Sequence, residues 1–239
     1  MTKNKPFDFN AIIGPAHQNS RDKGFWDDCR KRQPAPESLK MHFGIDAAVI
    51  LDELDPAKVK GVLLQKLLLI MTEVGEAYDE TRKSEDLSKL RFDWSRESIC
   101  SEYWYVCPAC KETLDANEAA QAACPYCRHK AKPIGYASEL ADILIRIADL
   151  YGAVGWRTDQ DPYETDNREA TFGELLIKLG VAARDLTMLA PANLVCSRLD
   201  FVIDYVIALA DIDNIDIGAA VEAKMAYNRT RPVKHGKRF

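Results

Sequence analysis

Long apolar runs are what this sequence most plainly lacks. Its most apolar stretch, GVLLQKLLLIM from Gly61 to Met71, is broken by Gln65 and Lys66 and falls well short of the roughly 20 apolar residues that span a bilayer. The first residues, MTKNKPFDFN, place no apolar segment behind their lysines, so no secretory signal is read and the chain is expected to be cytoplasmic, with no membrane partner. An excess of positive charge is missing too. Against 32 Lys and Arg stand 37 Asp and Glu, a formal net charge of -5, which argues against non-specific coating of nucleic acid and makes a nucleic-acid partner an unfavoured reading. Outside the cysteine-bearing segment there is no β-hairpin signal. Seven cysteines in a reducing compartment do not make a disulfide framework, so those that fall in pairs are read as metal ligands.

What is present is helical periodicity. A chain of 239 residues with 47% hydrophobic and 29% charged residues can bury a sizeable core. A helix is expected over about 56–83, with Leu63, Leu64, Leu67, Leu68, Met71, Val74 and Tyr78 recurring at helical spacing. A second is expected over 136–154, with Leu140, Ile143, Leu144, Ile147, Leu150 and Tyr151 as its stripe. Further helices are read over 172–189, 193–211 and 217–229, the last closed by Pro232 and a basic tail. Residues 1–35 are polar with a loop at Lys31–Pro36, 84–103 read as a loop with a short helix, and 156–170 as a loop. The expected fold class is all-α, a helical bundle with one small insertion: an N-terminal segment 1–55, a bundle of 56–103 and 133–239, and an insert of 104–132.

The insert carries Cys107-Pro-Ala-Cys110 and Cys124-Pro-Tyr-Cys127, with thirteen residues between the pairs. Two C-x-x-C knuckles at this spacing can close a tetrahedral Cys₄ site, which makes structural Zn²⁺ the expected occupant rather than a redox pair. His129 is a fallback ligand. Cys29, Cys100 and Cys196 have no pairing pattern.

Two acidic pairs stand out on the strongest helices. Glu73 and Glu76 are three apart, as are Glu139 and Asp142, so each pair shares one helix face, a turn apart. An acidic pair alone reads as a solvated face. Here Val62 and Leu69 lie on the same side as Glu73, Glu76 and Glu80, and Arg146 and Asp149 prolong the Glu139/Asp142 face within a mostly apolar helix. Like charges drawn together repel, and a hard divalent cation relieves that conflict. The pattern therefore points to an acidic metal site between two helices.

The segments KLLLIMTEVGEAYDE (Lys66 to Glu80) and SELADILIRIADLYGAVG (Ser138 to Gly155) resemble the E-x-x-E and E-x-x-D helices of MazG-like nucleoside triphosphate pyrophosphohydrolases, a superfamily that also holds dimeric dUTPases and HisE-type phosphoribosyl-ATP enzymes. The run KMAYNRTRPVKHGKRF from Lys224 is similar to the lysine-asparagine helix and basic tail of phage and bacterial members, and GFW at Gly24–Trp26 is a weaker echo. These pieces cover under a third of the chain.

The resemblance implies an all-α bundle of the MazG and dimeric dUTPase type, acting as a homodimer or higher oligomer. It implies that Glu73, Glu76, Glu139 and Asp142 hold Mg²⁺ on a triphosphate, so that water releases pyrophosphate and leaves a monophosphate. One of these carboxylates, or Glu80, would be the general base; the residues do not choose. Lys224 and Asn228 share a face and, with Arg231 and Lys234, would bind phosphate oxygens. The tail favours a purine substrate, dGTP or dATP, with pyrimidines left open, and Trp26 or Trp156 is available to stack on a base. The alternatives are a related house-cleaning hydrolase of dUTPase or phosphoribosyl-ATP type, or a non-catalytic zinc-ribbon regulator that binds nucleic acid.

In two respects the chain departs from the family. The acidic helices, usually joined by a short connection, are here separated by 62 residues between Glu76 and Glu139. Residues 172–211 also echo the two acidic helices in their apolar positions. In that alignment Glu73 meets Ala182, Glu76 meets Asp185, Glu139 meets Arg198 and Asp142 meets Phe201. Such a degenerate copy would keep the packing surface and lose the cluster; the plainer reading is two further amphipathic helices.

Overall fold

The computed structural model describes residues 7–27, 56–83, 86–99, 102–158, 171–187 and 192–233. Among these the chain is mostly helical, with seven helices and five short strands. The helices are α1 (Phe9–Asp22), α2 (Pro56–Thr81), α3 (Ala116–Ala119), α4 (Tyr136–Val154), α5 (Phe172–Thr187), α6 (Ala192–Ile212) and α7 (Ile217–Thr230). No helix among the described residues is long and apolar enough to cross a membrane.

The core is organised around α4, which packs on α1, α2, α6 and α7. Leu140, Ile143, Leu144, Ile147, Leu150 and Tyr151 are all buried, as the stripe predicts, and so are most residues between them. A helix surrounded on several sides must be apolar nearly all round, which is why α4 contains so few polar positions and why each one matters. The path of α1 depends on Gly152. A Cβ there would lie 2.4 Å from the Cβ of His17 and 3.2 Å from the carbonyl of Ile13, so a larger residue would push α1 off α4. On α2, Leu63, Leu67, Ile70, Val74 and Ala77 face the core. The helix α5 covers a further side of α2 and pairs with α6.

Two local readings change. Residues 9–22, polar on average, form the full helix α1, N-capped by Asp8, whose side chain accepts from the Ala11 amide. Only four of its residues, Phe9, Ile13, Ala16 and Ser20, are buried, so the apolar stripe is too narrow to dominate the sequence pattern. The segment 84–103, expected as a loop with a short helix, instead carries strands β1 (Arg91–Asp93) and β2 (Ser95–Ile99) and the start of β3 (Glu102–Val106). With β4 (Thr113–Leu114) and β5 (Lys132–Ile134) they build the insert, which thus begins earlier than the cysteines suggest. Strands this short offer too few alternations for a period of two to show.

In the insert, β2, β3 and β4 form one antiparallel sheet, while β1 pairs antiparallel with β5 as Phe92 faces Pro133. The insert therefore leaves near the end of α2 and returns into α4 through a two-stranded stalk. Trp94, Cys107, Leu114, Ala119, Cys124 and Ala131 make a small separate core. The loop at 31–36, Cys29, Cys100, Lys234 and nearly all of 156–170 lie outside the described residues.

Candidate metal centres

Polar residues of α2 and α4 meet as a ladder whose rungs run in opposite order along the two helices. At one end Lys66 Nζ lies 2.6 Å from Asp149 Oδ2, with both side chains buried. Next, Arg146 Nε donates to Glu73 Oε1 at 2.6 Å. Past the far end, Glu80 is engaged by Arg91 Nη2 at 3.1 Å and Lys83 Nζ at 3.2 Å, which turns this general-base candidate toward the insert.

Between these balanced rungs lies an unbalanced one. Glu73, Glu76 and Glu139 each present a carboxylate oxygen within 4.8 Å of the others. Arg146 reaches Glu73, but among the described residues no cation makes a hydrogen bond or ion pair with Glu76 or Glu139. At that separation two like charges repel by about 3–4 kcal/mol in an effective dielectric of ~20, several times the worth of an exposed ion pair. Without a metal the conflict is met by a proton: burial, together with Asp142, Glu73 and Glu76 and against the pull of Lys224, pushes Glu139 up to about 7. Burial also raises Glu73, though Arg146 opposes it. Three oxygen donors at one point suit a hard cation such as Mg²⁺ or Mn²⁺, which accepts water and phosphate in its remaining positions.

Asp142, the fourth expected ligand, is placed differently. Its Oδ2 lies 2.7 Å from Lys224 Nζ, and Lys224, buried on α7, also donates to Ser138 Oγ at 2.7 Å. The ammonium thus occupies the position at Asp142 where a second cation would sit. One turn on, Asn228 is buried and its Oδ1 has no hydrogen-bond partner among the described residues, an acceptor of the kind a bound ligand or water satisfies. Arg231 is not brought to the cluster: its guanidinium stands 5.9 Å from the Tyr227 ring and its carbonyl accepts from Lys23.

The two tryptophans proposed for base stacking are both buried. Trp26 donates its indole N–H to Asp149 Oδ1 at 2.8 Å and lies beneath Lys66 Nζ, and Trp156 packs edge-on against Tyr151. Asp149 is bonded by four side chains. Oδ1 meets His17 Nδ1 at 3.0 Å and Trp26, and Oδ2 accepts from Ser20 at 2.9 Å and Lys66. Burial would raise its pKa, yet Lys66 and the His17 hydrogen bond hold it below the usual carboxylate value. Sequence reasoning missed this node; the available signal was Lys66, a charge inside an apolar run seven residues before Glu73.

In the insert, the four sulfurs of Cys107, Cys110, Cys124 and Cys127 come within 4.8 Å of one another. Cys107 and Cys127 are 3.6 Å apart and Cys110 and Cys124 3.7 Å. A tetrahedron of thiolates about 2.3 Å from zinc has edges of about 3.8 Å, so the spacing fits. The knuckles also repeat each other. In each, the first cysteine's N–H and C=O are bonded, to Glu112 and Lys111 and to His129 and Arg128 respectively. Each then turns through a left-handed residue, Lys111 at φ 65° and Arg128 at φ 63°. Backbone amides draw Cys107 down to about 7 against its burial, poising it as a thiolate ligand. His129 is exposed and rests near the Trp94 ring, outside the sulfur set, while Cys196 packs beside the main core.

No protein-family model, curated protein or solved structure matches this chain. The chemistry must be read from the geometry.

Proposed function

We propose that this protein is a Mg²⁺-dependent nucleoside triphosphate pyrophosphohydrolase on a MazG-type helical bundle, with Zn²⁺ in a ribbon inserted between the two acidic helices. The observation that carries the reading is the unbalanced rung: Glu73, Glu76 and Glu139 share one point at which, among the described residues, only Glu73 has an ion-pair partner, Arg146, while the rungs on either side are paired. Mg²⁺ held there would neutralise phosphate charge and lower the pKa of a water molecule. Around it, Glu73, Glu76 and Glu139 supply the oxygen ligands and Arg146 fixes the Glu73 carboxylate. Lys224, held at Asp142 before substrate arrives, is the nearest ammonium to offer a phosphate oxygen, and the unpaired Asn228 amide stands one turn away. Attack of water on the α-phosphorus breaks its bond to the bridging oxygen, releasing pyrophosphate and leaving the monophosphate.

The Cys₄ spacing and twin knuckles support structural Zn²⁺. The helices α5 and α6 support the degenerate-copy reading in one respect: where the copy would place its acidic rung, Asp185 stands 3.9 Å from Arg198, an ion pair in place of a metal site. A purine deoxynucleotide, a homodimer and a cytoplasmic setting complete the proposal. Incubation with each of the eight common nucleoside and deoxynucleoside triphosphates and Mg²⁺, followed by pyrophosphate measurement, tests it. Release from at least one is expected; release from none, with tight binding of DNA or RNA, overturns it in favour of a nucleic-acid-binding regulator.

A further inference from the structure

Ser138 joins two sets of contacts that would otherwise end separately. Its hydroxyl donates to the carbonyl of Pro133 in β5 at 2.9 Å and accepts from Lys224 Nζ at 2.7 Å. The second bond of Lys224 goes to Asp142 at 2.7 Å. Ser138 is wholly buried and Lys224 is 4% exposed, so neither has water to fall back on. Behind Pro133 stands the cysteine insert. Pro133 faces Phe92 across the β1–β5 stalk, and four residues separate the start of β5 from Cys127. The stalk is also fastened to α2 by Arg91 and Glu80. The Arg91 guanidinium lies so close over Gly135, where α4 begins, that a Cβ there would meet its Nη2 at 2.6 Å.

We infer that Ser138 is a positioning residue that, with the cysteine insert behind it, holds Lys224 at Asp142 as a resident cation and so limits cation binding at the adjoining carboxylates. A buried ammonium with two acceptors stays in place, whereas one left with a single acceptor can turn away. Once it turns away, Asp142 adds its full negative charge to Glu73, Glu76 and Glu139. A divalent ion would then bind on the order of tenfold tighter even if screened nearly as in water. Turnover moves the other way, because Lys224 is no longer aimed. The inference rests on the cation-site reading above, not on the identity of the substrate.

Mn²⁺ titration by electron spin resonance without nucleotide tests it on three forms: wild type, Ser138→Ala and Ser138→Thr. A fourth sample is wild type stripped of cysteine-bound metal by an organomercurial. Ser138→Ala is expected to bind Mn²⁺ about tenfold tighter while its melting temperature falls by several degrees, since two buried polar groups lose a partner, and Ser138→Thr, which keeps the hydroxyl, to return to wild type in both. Stripping is expected to act in the same direction, and to add little in the Ser138→Ala background, since both remove one support. A purely structural role for Ser138 weakens Mn²⁺ binding instead, and that result overturns the inference. So do effects of stripping and substitution that simply multiply. Failure of all forms to bind Mn²⁺ removes the cation site itself; Mn²⁺ binding without hydrolysis of any triphosphate removes the proposed reaction and leaves the role of Ser138 standing.

Discussion

Asp149 and Glu139 lie on the same face of α4, about 15 Å apart at 1.5 Å per residue, and the fold treats them in opposite ways. Asp149 is surrounded by partners from two helices and the turn after α1, and its pKa is held down. Glu139 is half-buried beside other carboxylates and its pKa is driven up to about 7. The first carboxylate is satisfied within the chain; the second requires something the chain does not supply. A buried charge whose pKa moves toward ionisation marks an internal strut, and one whose pKa moves away from it marks a place prepared for a cation or a proton.

The largest way to break this comparison is at the unsatisfied end. Glu76→Gln should lower pyrophosphate release by at least ~100-fold, since loss of even an outer partner of a metal ligand costs about 10–100-fold. Metal bound to the cysteines, read by atomic absorption, should be unchanged; loss of zinc instead would mean that the two centres are confused.

At the satisfied end the expected damage is to folding. Asp149→Ala leaves Lys66 buried without its counter-charge, which costs about 3–5 kcal/mol and lowers the melting temperature by roughly 10 °C for a chain of this size. A drop of only a degree or two would show that Asp149 is not the strut described. Glu139→Gln should do the reverse in cation-free protein, leaving the melting temperature equal or a few degrees higher, because it removes a repelled charge.

The same contrast has a pH signature. Glu139 binds its proton more tightly folded than unfolded, so in cation-free protein its contribution to stability declines as pH rises from about 4.5 to about 7. Asp149 binds its proton less tightly folded, so its contribution is present above 3.8 and is lost as pH falls below it. Melting temperature against pH should therefore fall as pH rises from about 4.5 to about 7 without metal, and saturating Mg²⁺ should flatten the fall. A profile that Mg²⁺ leaves unaltered would separate the proton site from any cation site. The smallest effect is expected in the second helix pair: Arg198→Leu removes a 3.9 Å contact with Asp185, worth under about 1 kcal/mol, and should leave Mn²⁺ binding untouched.

Much of this architecture was legible in the residues. Leu140, Ile143, Leu144 and Ile147 recur with a period only a helix satisfies, and α4 spans the residues predicted. The cysteine spacing foretold a convergent Cys₄ set because two short knuckles leave their sulfurs few other places to go. The strands β1 to β3 were not legible, since their pairing is made by partners distant in sequence rather than by local preference. Nor was the burial of Trp26, whose neighbours Asp149 and Lys66 are 123 and 40 positions away.

By itself the sequence determined which carboxylates share a helix face, because that depends only on the 3.6-residue turn. Tertiary structure decided which of them are in conflict. Lys66, which looked like a solvated interruption of an apolar run, is buried against Asp149, and Lys224, four positions from Asn228 on the last helix, is set at Asp142. Spacing fixes faces, but the balance of charge at a point is fixed only when separate helices are packed together, and it is that balance which gathers Glu73, Glu76 and Glu139 around a single directly paired cation, Arg146.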